Sequence, residues 1–275
     1  MSRHRKTAVI ALSVLWVMLL VAWVAAITGK PVDIDRTGVE EPSGLVYHTG
    51  RGTLFAVGDQ GKIYEMRTDG RPVKQKDLAE GGWLDLEGVT FDPSTGLLYV
   101  AVEGKERILE VDPETLAITR EWQIPRTWKG RTVLKAGGQG IEGIAFLPDA
   151  NHPQGGTFLV SNQGFRDSPP EDASVLVRVE LPLRAGADAK VEPKILGCTP
   201  MNVYDLSDLC YDTLHKRLYA ISDSGNRVYE ITPEGKILKD EPLPGENQEG
   251  FAADAEGFVY IAQDSGGILK LKPGR

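Results

Sequence analysis

At 275 residues, with 41% apolar side chains, 31 Gly and 17 Pro, the chain can bury one large core and is punctuated by turns, which excludes a disordered polymer. Its net charge of −8 disfavours a nucleic-acid partner. The first thirty residues carry no acid and four of the basic residues, so beyond them 27 Lys and Arg face 39 Asp and Glu.

In chain order, Arg3, Arg5 and Lys6 precede Thr7 to Gly29, an uncharged run made mostly of Val, Leu, Ile, Ala and Trp. As a helix, those 23 residues would extend roughly 35 Å, enough to cross a hydrocarbon core of about 30 Å. The basic flank belongs on the cytoplasmic side. The expectation is therefore a signal-anchor over residues 1–29, with residues 7–29 in a bacterial-type inner membrane and a domain over 30–275 on the periplasmic side. Val24-Ala25-Ala26 leaves a cleaved signal peptide as the rival, although the apolar run exceeds the about 7–15 residues usual for one.

One phrase then recurs five times: Glu41-Pro-Ser-Gly44, Asp85-Leu-Glu-Gly88, Gly140-Ile-Glu-Gly143, Asp205-Leu-Ser-Asp208 and Asn247-Gln-Glu-Gly250, each leading into an apolar run. The spacings are 44, 55, 65 and 42 residues, close to those of propeller blades. Each opening is followed by a turn, a second apolar run ending in a polar residue, and a third run such as Ile63-Tyr-Glu-Met66 or Val228-Tyr-Glu-Ile231. A fourth, more polar strand fits after each unit except the last, which residues 31–37 are placed to complete. The predicted fold is an all-β, five-bladed β-propeller with four-stranded blades, preceded by one N-terminal transmembrane helix. Arg126 to Gly138 and Gly164 to Ala173 read as inserted surface loops.

Innermost strands line a propeller's channel, so polar residues recurring in phase converge there. Two such sets exist: Ser43, Glu87, Glu142, Ser207 and Glu249 before the opening Gly or its equivalent, and Asp59, Glu103, Asn162, Asp223 and Asp264 at the end of the second strand. Residues of the second set also suit turns that bond their own backbone. Three Glu near one axis need a cation, a shared proton or hydrogen-bond donors, and calcium suits oxygen ligands in irregular geometry. His48, His152 and His215 fall in turns and read as surface residues. Trp83, Trp122 and Trp128 read as packing between blades. Cys210 falls on a strand and Cys198 on the loop before it, and whether they pair stays open.

The phrases around Gly44, Gly88 and Asp208, with Ile221-Ser-Asp-Ser-Gly225 and the N-terminal anchor, resemble those of the SdiA-regulated family of bacterial proteins over about residues 35 to 273. The resemblance implies a five-bladed propeller distantly related to NHL-repeat proteins, with a bound calcium and no established reaction. Carried over to this sequence, the implied metal ligands are Glu87, Glu142 and Glu249, with Asp208 and Asp223 next. Ser43 and Ser207 break the Glu pattern and make the site lopsided. The Glu-Gly openings are also similar to phytase-related esterase-like domains and to gluconolactonase-type propellers.

Two functions compete. One is a membrane-anchored envelope module whose channel mouth binds a small ligand or an envelope protein. The other is a calcium-dependent hydrolase of the esterase, lactonase or phosphoesterase type, with Glu142 or Asp223 as base. Turnover separates them.

Overall fold

A computed structural model describes residues 30–138, 140–164, 174–185 and 191–272. The anticipated span over 7–29 lies outside them, as does most of the insertion between Gly164 and Ala173. Among the described residues no helix is long and apolar enough to cross a membrane.

The strands form five antiparallel four-stranded sheets arranged as a ring. After β1 (Val32–Asp33), blade 1 comprises β2 (Pro42–His48), β3 (Thr53–Gly58), β4 (Lys62–Arg67) and β5 (Pro72–Asp77). Blade 2 follows with β6 (Leu86–Phe91), β7 (Leu98–Val102), β8 (Arg107–Val111) and β9 (Ile118–Gln123). The first insertion, expected as a loop, contains a small hairpin of β10 (Thr127–Trp128) and β11 (Arg131–Thr132). Blade 3 is β12 (Ile141–Pro148), β13 (Gly156–Asn162), β14 (Val175–Glu180) and β15 (Lys194–Pro200). Blade 4 is β16 (Leu206–Asp212), β17 (Arg217–Ser222), β18 (Arg227–Ile231) and β19 (Ile237–Pro242). Blade 5 takes β20 (Gln248–Ala253), β21 (Val259–Gln263) and β22 (Ile268–Leu271) from the end of the chain and β1 from its start.

Burial follows position in the blade. The second strands β3, β7 and β13 are buried on nearly every residue, whereas the outer strands β5, β9 and β19 alternate between exposed and half-buried. A strand covered on both faces reads as a continuous apolar run, and an edge strand must stay polar to avoid pairing with other chains. The apolar residues form five clusters, and each joins two neighbouring blades. Phe55 and Val57 of blade 1 pack with Leu98 and Val100 of blade 2, and Leu45 and Leu54 of blade 1 pack with Tyr260 and Ala262 of blade 5. Each such buried Leu, Val or Phe contributes about 1.5–3 kcal/mol relative to exposure. The ring closes because the last cluster joins the last blade to the first.

The opening glycines set how closely the inner strands approach. A Cβ on Gly44 would lie 2.4 Å from the Glu87 carbonyl oxygen, and one on Gly143 would lie 2.4 Å from the Leu209 nitrogen. Asp208 occupies the equivalent place in blade 4, where its carboxylate accepts the backbone N–H groups of Leu209 at 2.7 Å and Phe251 at 3.0 Å. It links blades 4 and 5 through a side chain where other junctions use backbone contact.

Three expectations change. His48 is not a surface residue: it is 4% exposed at the end of β2, stacked on Phe91 with ring centres 4.5 Å apart, its Nε2 bonded to the Gly96 carbonyl at 2.9 Å. Trp83 is 65% exposed and packs between no blades, although Trp122 and Trp128 do pack against the core of blades 2 and 3. Cys198 lies on β15 opposite Val177 rather than in a loop, and both cysteines are free thiols.

Candidate metal centre at the channel mouth

Each inner strand enters its sheet through a bulge. The pairing register jumps from Pro42 to Gly44, Leu86 to Val89, Ile141 to Ile144, Leu206 to Asp208 and Gln248 to Gly250. The residues skipped include Ser43, Glu87, Glu142, Ser207 and Glu249, the first polar set. A bulge leaves its extra residue out of the ladder and re-aims the side chain. Two positions upstream, Glu41, Asp205 and Asn247 adopt φ of 46°, 54° and 52°, a left-handed conformation that costs a non-Gly residue about 1–2 kcal/mol. The strain comes with a bond. The Glu41, Asp85, Asp205 and Asn247 carbonyls accept the N–H groups of Asp59, Glu103, Asp223 and Asp264 at 3.3, 2.9, 3.1 and 2.9 Å. Backbone bonds thus hold the two polar sets together in four of the five blades.

The electrostatics of this end are one-sided. Burial pushes the Glu87 and Glu142 carboxyls well above the usual range, and the charges that act most strongly on them are all carboxylates. Glu249 is raised to about 9 by burial and by Asp223, Asp205, Asp264 and Asp59. Burial raises Asp59 to about 6, against the pull of the Ser43 hydroxyl that donates to it. Asp85, Glu103 and Asp223 are also raised, each chiefly by burial. Because Glu87 and Glu142 both feel Glu249, three blades meet here across the channel.

Two arrangements stand out. Glu142, 6% exposed, and Glu103 lie side by side, the contact raising the Glu142 carboxyl and lowering that of Glu103, which also accepts the Gly140 N–H at 2.9 Å. On the neighbouring arc, one oxygen each from Asp59, Asp85 and Glu87 lies within 4.8 Å of the others. That trio brings hard oxygen donors and neither His nor Cys, which suits calcium or magnesium better than zinc.

Of the residues chosen from sequence, Glu87 joins this trio, Glu142 and Glu249 face the same acidic mouth, and Asp223 acts on Glu249. Asp208 is placed elsewhere: it is 0% exposed, and both its oxygens are taken by backbone amides. Phase in the repeat places Asp59 and Glu103 only in the second polar set, and it assigns no ligand role to Asp85 or Asp205. Asp85 and Asp205 stood in view as the first letters of their repeated phrases.

Many solved structures share the fold. Glutaminyl cyclase from Myxococcus xanthus is 15% identical, with a TM-score of 0.60 over 88% of this chain and 94% of that one. Streptogramin B lyase is 12% identical, with a TM-score of 0.50 over 90% of this chain and 99% of that one. At these identities the likeness concerns the fold alone. No curated protein matches the sequence. With the five openings, the shared last blade and the acidic mouth in place, the match over residues 19–266 makes the chain a member of the SdiA-regulated family.

Proposed function

We propose that the protein is a membrane-anchored propeller of the cell envelope, held by residues 7–29, whose acidic mouth binds calcium and through it a small ligand or an envelope protein. The observation that carries the calcium reading is the convergence of carboxylates, with one oxygen each of Asp59, Asp85 and Glu87 within 4.8 Å of the others. The strongest charges on Glu87, Glu142 and Glu249 are other acids, and a divalent cation relieves that repulsion. Asp59, Asp85 and Glu87 would hold the ion, with Glu142, Glu249 and Asp223 facing it from the rest of the mouth. When bound, it would supply positive charge for a ligand's anionic or carbonyl oxygens.

Thermal unfolding of the full chain in calcium and in chelator tests this reading. Calcium at a hundredfold over its dissociation constant should add about 2.7 kcal/mol, or roughly 5–10 °C in a domain of this size. Glu87→Gln should remove most of that shift. Equal midpoints with and without calcium would overturn the metal site.

The Glu103–Glu142 pair favours a second reading, a calcium-dependent hydrolase. Glu142 keeps its proton and so suits a general acid, and half-exposed Asp223 suits a base. The similar fold of a cyclase and a lyase shows that such scaffolds host enzymes. A panel of esters, lactones and phosphate esters with calcium decides between the readings: turnover abolished by Glu142→Gln establishes the enzyme, and no turnover leaves the binding module.

A further inference from the structure

The end of the ring opposite the carboxylates carries its own feature. In an antiparallel blade, the turn joining the first two strands and the turn joining the last two lie at one end, and the mouth loops lie at the other. Strand β1 runs antiparallel to β22, with Val32 opposite Lys270 and Asp33 opposite Leu269. The described chain therefore starts where β22 finishes, on the face away from the mouth. Gly29, the last residue of the uncharged run, is three residues from Val32 and so within about 11 Å of it by covalent reach.

Beside this starting point is a surface hollow of about 730 Å³, lined by Arg51, Arg67 and Arg71, by the threonines Thr53 and Thr68, and by the acids Glu65 and Asp69. It is tied to the start of the chain: the Lys270 Nζ donates to the Thr68 carbonyl at 2.8 Å, and Gly70 lies directly against the Ile34 carbonyl. Arg51 is held by Glu65 and Glu114, and exposed Arg71 by Asp69. Exposed Arg67 makes no side-chain hydrogen bond or ion pair among the described residues, and Arg36 is near enough to act on Asp69. Guanidinium forks match phosphate oxygens bidentately, whereas the Thr53 hydroxyl is already spent on Glu65 at 2.8 Å. In a chain with a net charge of −8, three arginines against two acids leave the hollow with a positive excess, carried by Arg67, where the N-terminal segment departs.

We propose that the arginine hollow is a phosphate site that seats on the anionic phospholipid headgroups of the membrane entered by the N-terminal segment, so that the propeller stands with its acidic mouth facing away from the bilayer. The inference rests on the anchored reading of residues 7–29. Its geometry is consistent in scale: the polar layer of one leaflet is about 5–8 Å deep, and the about 11 Å reach from Gly29 brings blade 5 and the adjoining hollow to that layer. Carboxylates at the opposite end are repelled by the same anionic surface, which favours the upright orientation.

The test uses the full chain in nanodiscs of phosphatidylcholine alone or mixed with phosphatidylglycerol, in chelator so that the mouth holds no cation. Amide exchange at residues 50–53 and 67–73 should slow about five-fold with phosphatidylglycerol, the factor expected from one arginine engaged at an anionic surface. The double variant Arg67→Gln, Arg71→Gln changes only exposed side chains and should lose this protection. Equal exchange in both discs, or protection that survives the double variant, overturns the proposal. Equal protection by inorganic phosphate in phosphatidylcholine discs also overturns it, by making free phosphate the ligand. Release of the chain from membranes by alkaline carbonate would instead refute the anchor itself, so the two failures are distinguishable.

Discussion

Asp208 shows how one residue can share the spacing of a binding set and serve the scaffold. It stands where four other units carry Gly, and with a side chain there blade 4 needs another way to meet blade 5. The carboxylate provides it by accepting the Leu209 and Phe251 amides, while burial pushes its carboxyl well above the usual range against their pull. Asp208→Ala should leave these two buried donors unpaired, at about 1–3 kcal/mol each, and lower the unfolding midpoint by several degrees. Asp208→Asn keeps one acceptor oxygen and should lose less. Because the side chain does not reach the mouth, the calcium-induced rise in midpoint should be the same in Asp208→Ala as in the parent. A lost calcium increment would put this residue back among the ligands.

At the scale of elements, completion of the last blade depends on a two-residue strand. Only Val32 and Asp33 pair with β22, extended by the bond from the Ile34 N–H to the Ile268 carbonyl at 2.9 Å. Gly70 controls whether that strand can lie down. Its φ is +80°, and a Cβ there would come 1.5 Å from the Ile34 carbonyl oxygen. Gly70→Ala should therefore push β1 off blade 5, with faster exchange at the Ile34 amide and a lower midpoint, while calcium binding at the far end persists. Unchanged exchange at Ile34 would mean that completion of the blade does not depend on this contact. The shared last blade was legible in the sequence because a fifth unit lacked a fourth strand and residues 31–37 lacked a partner. Strand positions were legible for a similar reason, since apolar runs of β-length between turns leave little choice of element. The bulges were not, because a polar residue ahead of an apolar run reads the same whether it pairs in the ladder or is skipped by it. Nor was the burial of His48, whose place depends on Phe91 and Gly96 of the next blade, more than forty positions away.

For the whole molecule, the mouth is a concentration of like charge that the ring must tolerate to close. Phase in the repeat revealed Glu87, Glu142 and Glu249. It did not reveal that Asp85 joins Glu87 and Asp59, because that depends on how the bulge turns alternate residues toward the axis. The energetic consequence is a dependence of stability on pH. Asp59 moves from 3.8 to about 6 and Glu249 from 4.5 to about 9, and Asp85, Glu87, Glu103, Glu142 and Asp223 shift upward too. Each of these groups holds its proton more tightly folded than unfolded. Between the two values the native state binds more protons, so stability falls as pH rises. Their contribution is complete below about pH 4 and is lost progressively toward pH 9. Glu65 and Glu110 act in the opposite sense: despite burial, Arg51, Thr53 and Lys74 hold the first low, and Arg120 and Thr119 the second. Their contribution fades only in more acidic solution. In chelator, the unfolding midpoint should therefore decline from pH 5 to pH 8, and Glu249→Gln should flatten that decline by removing one strongly shifted group. Calcium should raise the midpoint more at pH 8 than at pH 5, because the cation replaces protons that the mouth would otherwise retain. A midpoint that climbs between pH 5 and pH 8 in chelator would show that the carboxylates are neutralised by another means, and the case for a cation at the mouth would fall with it.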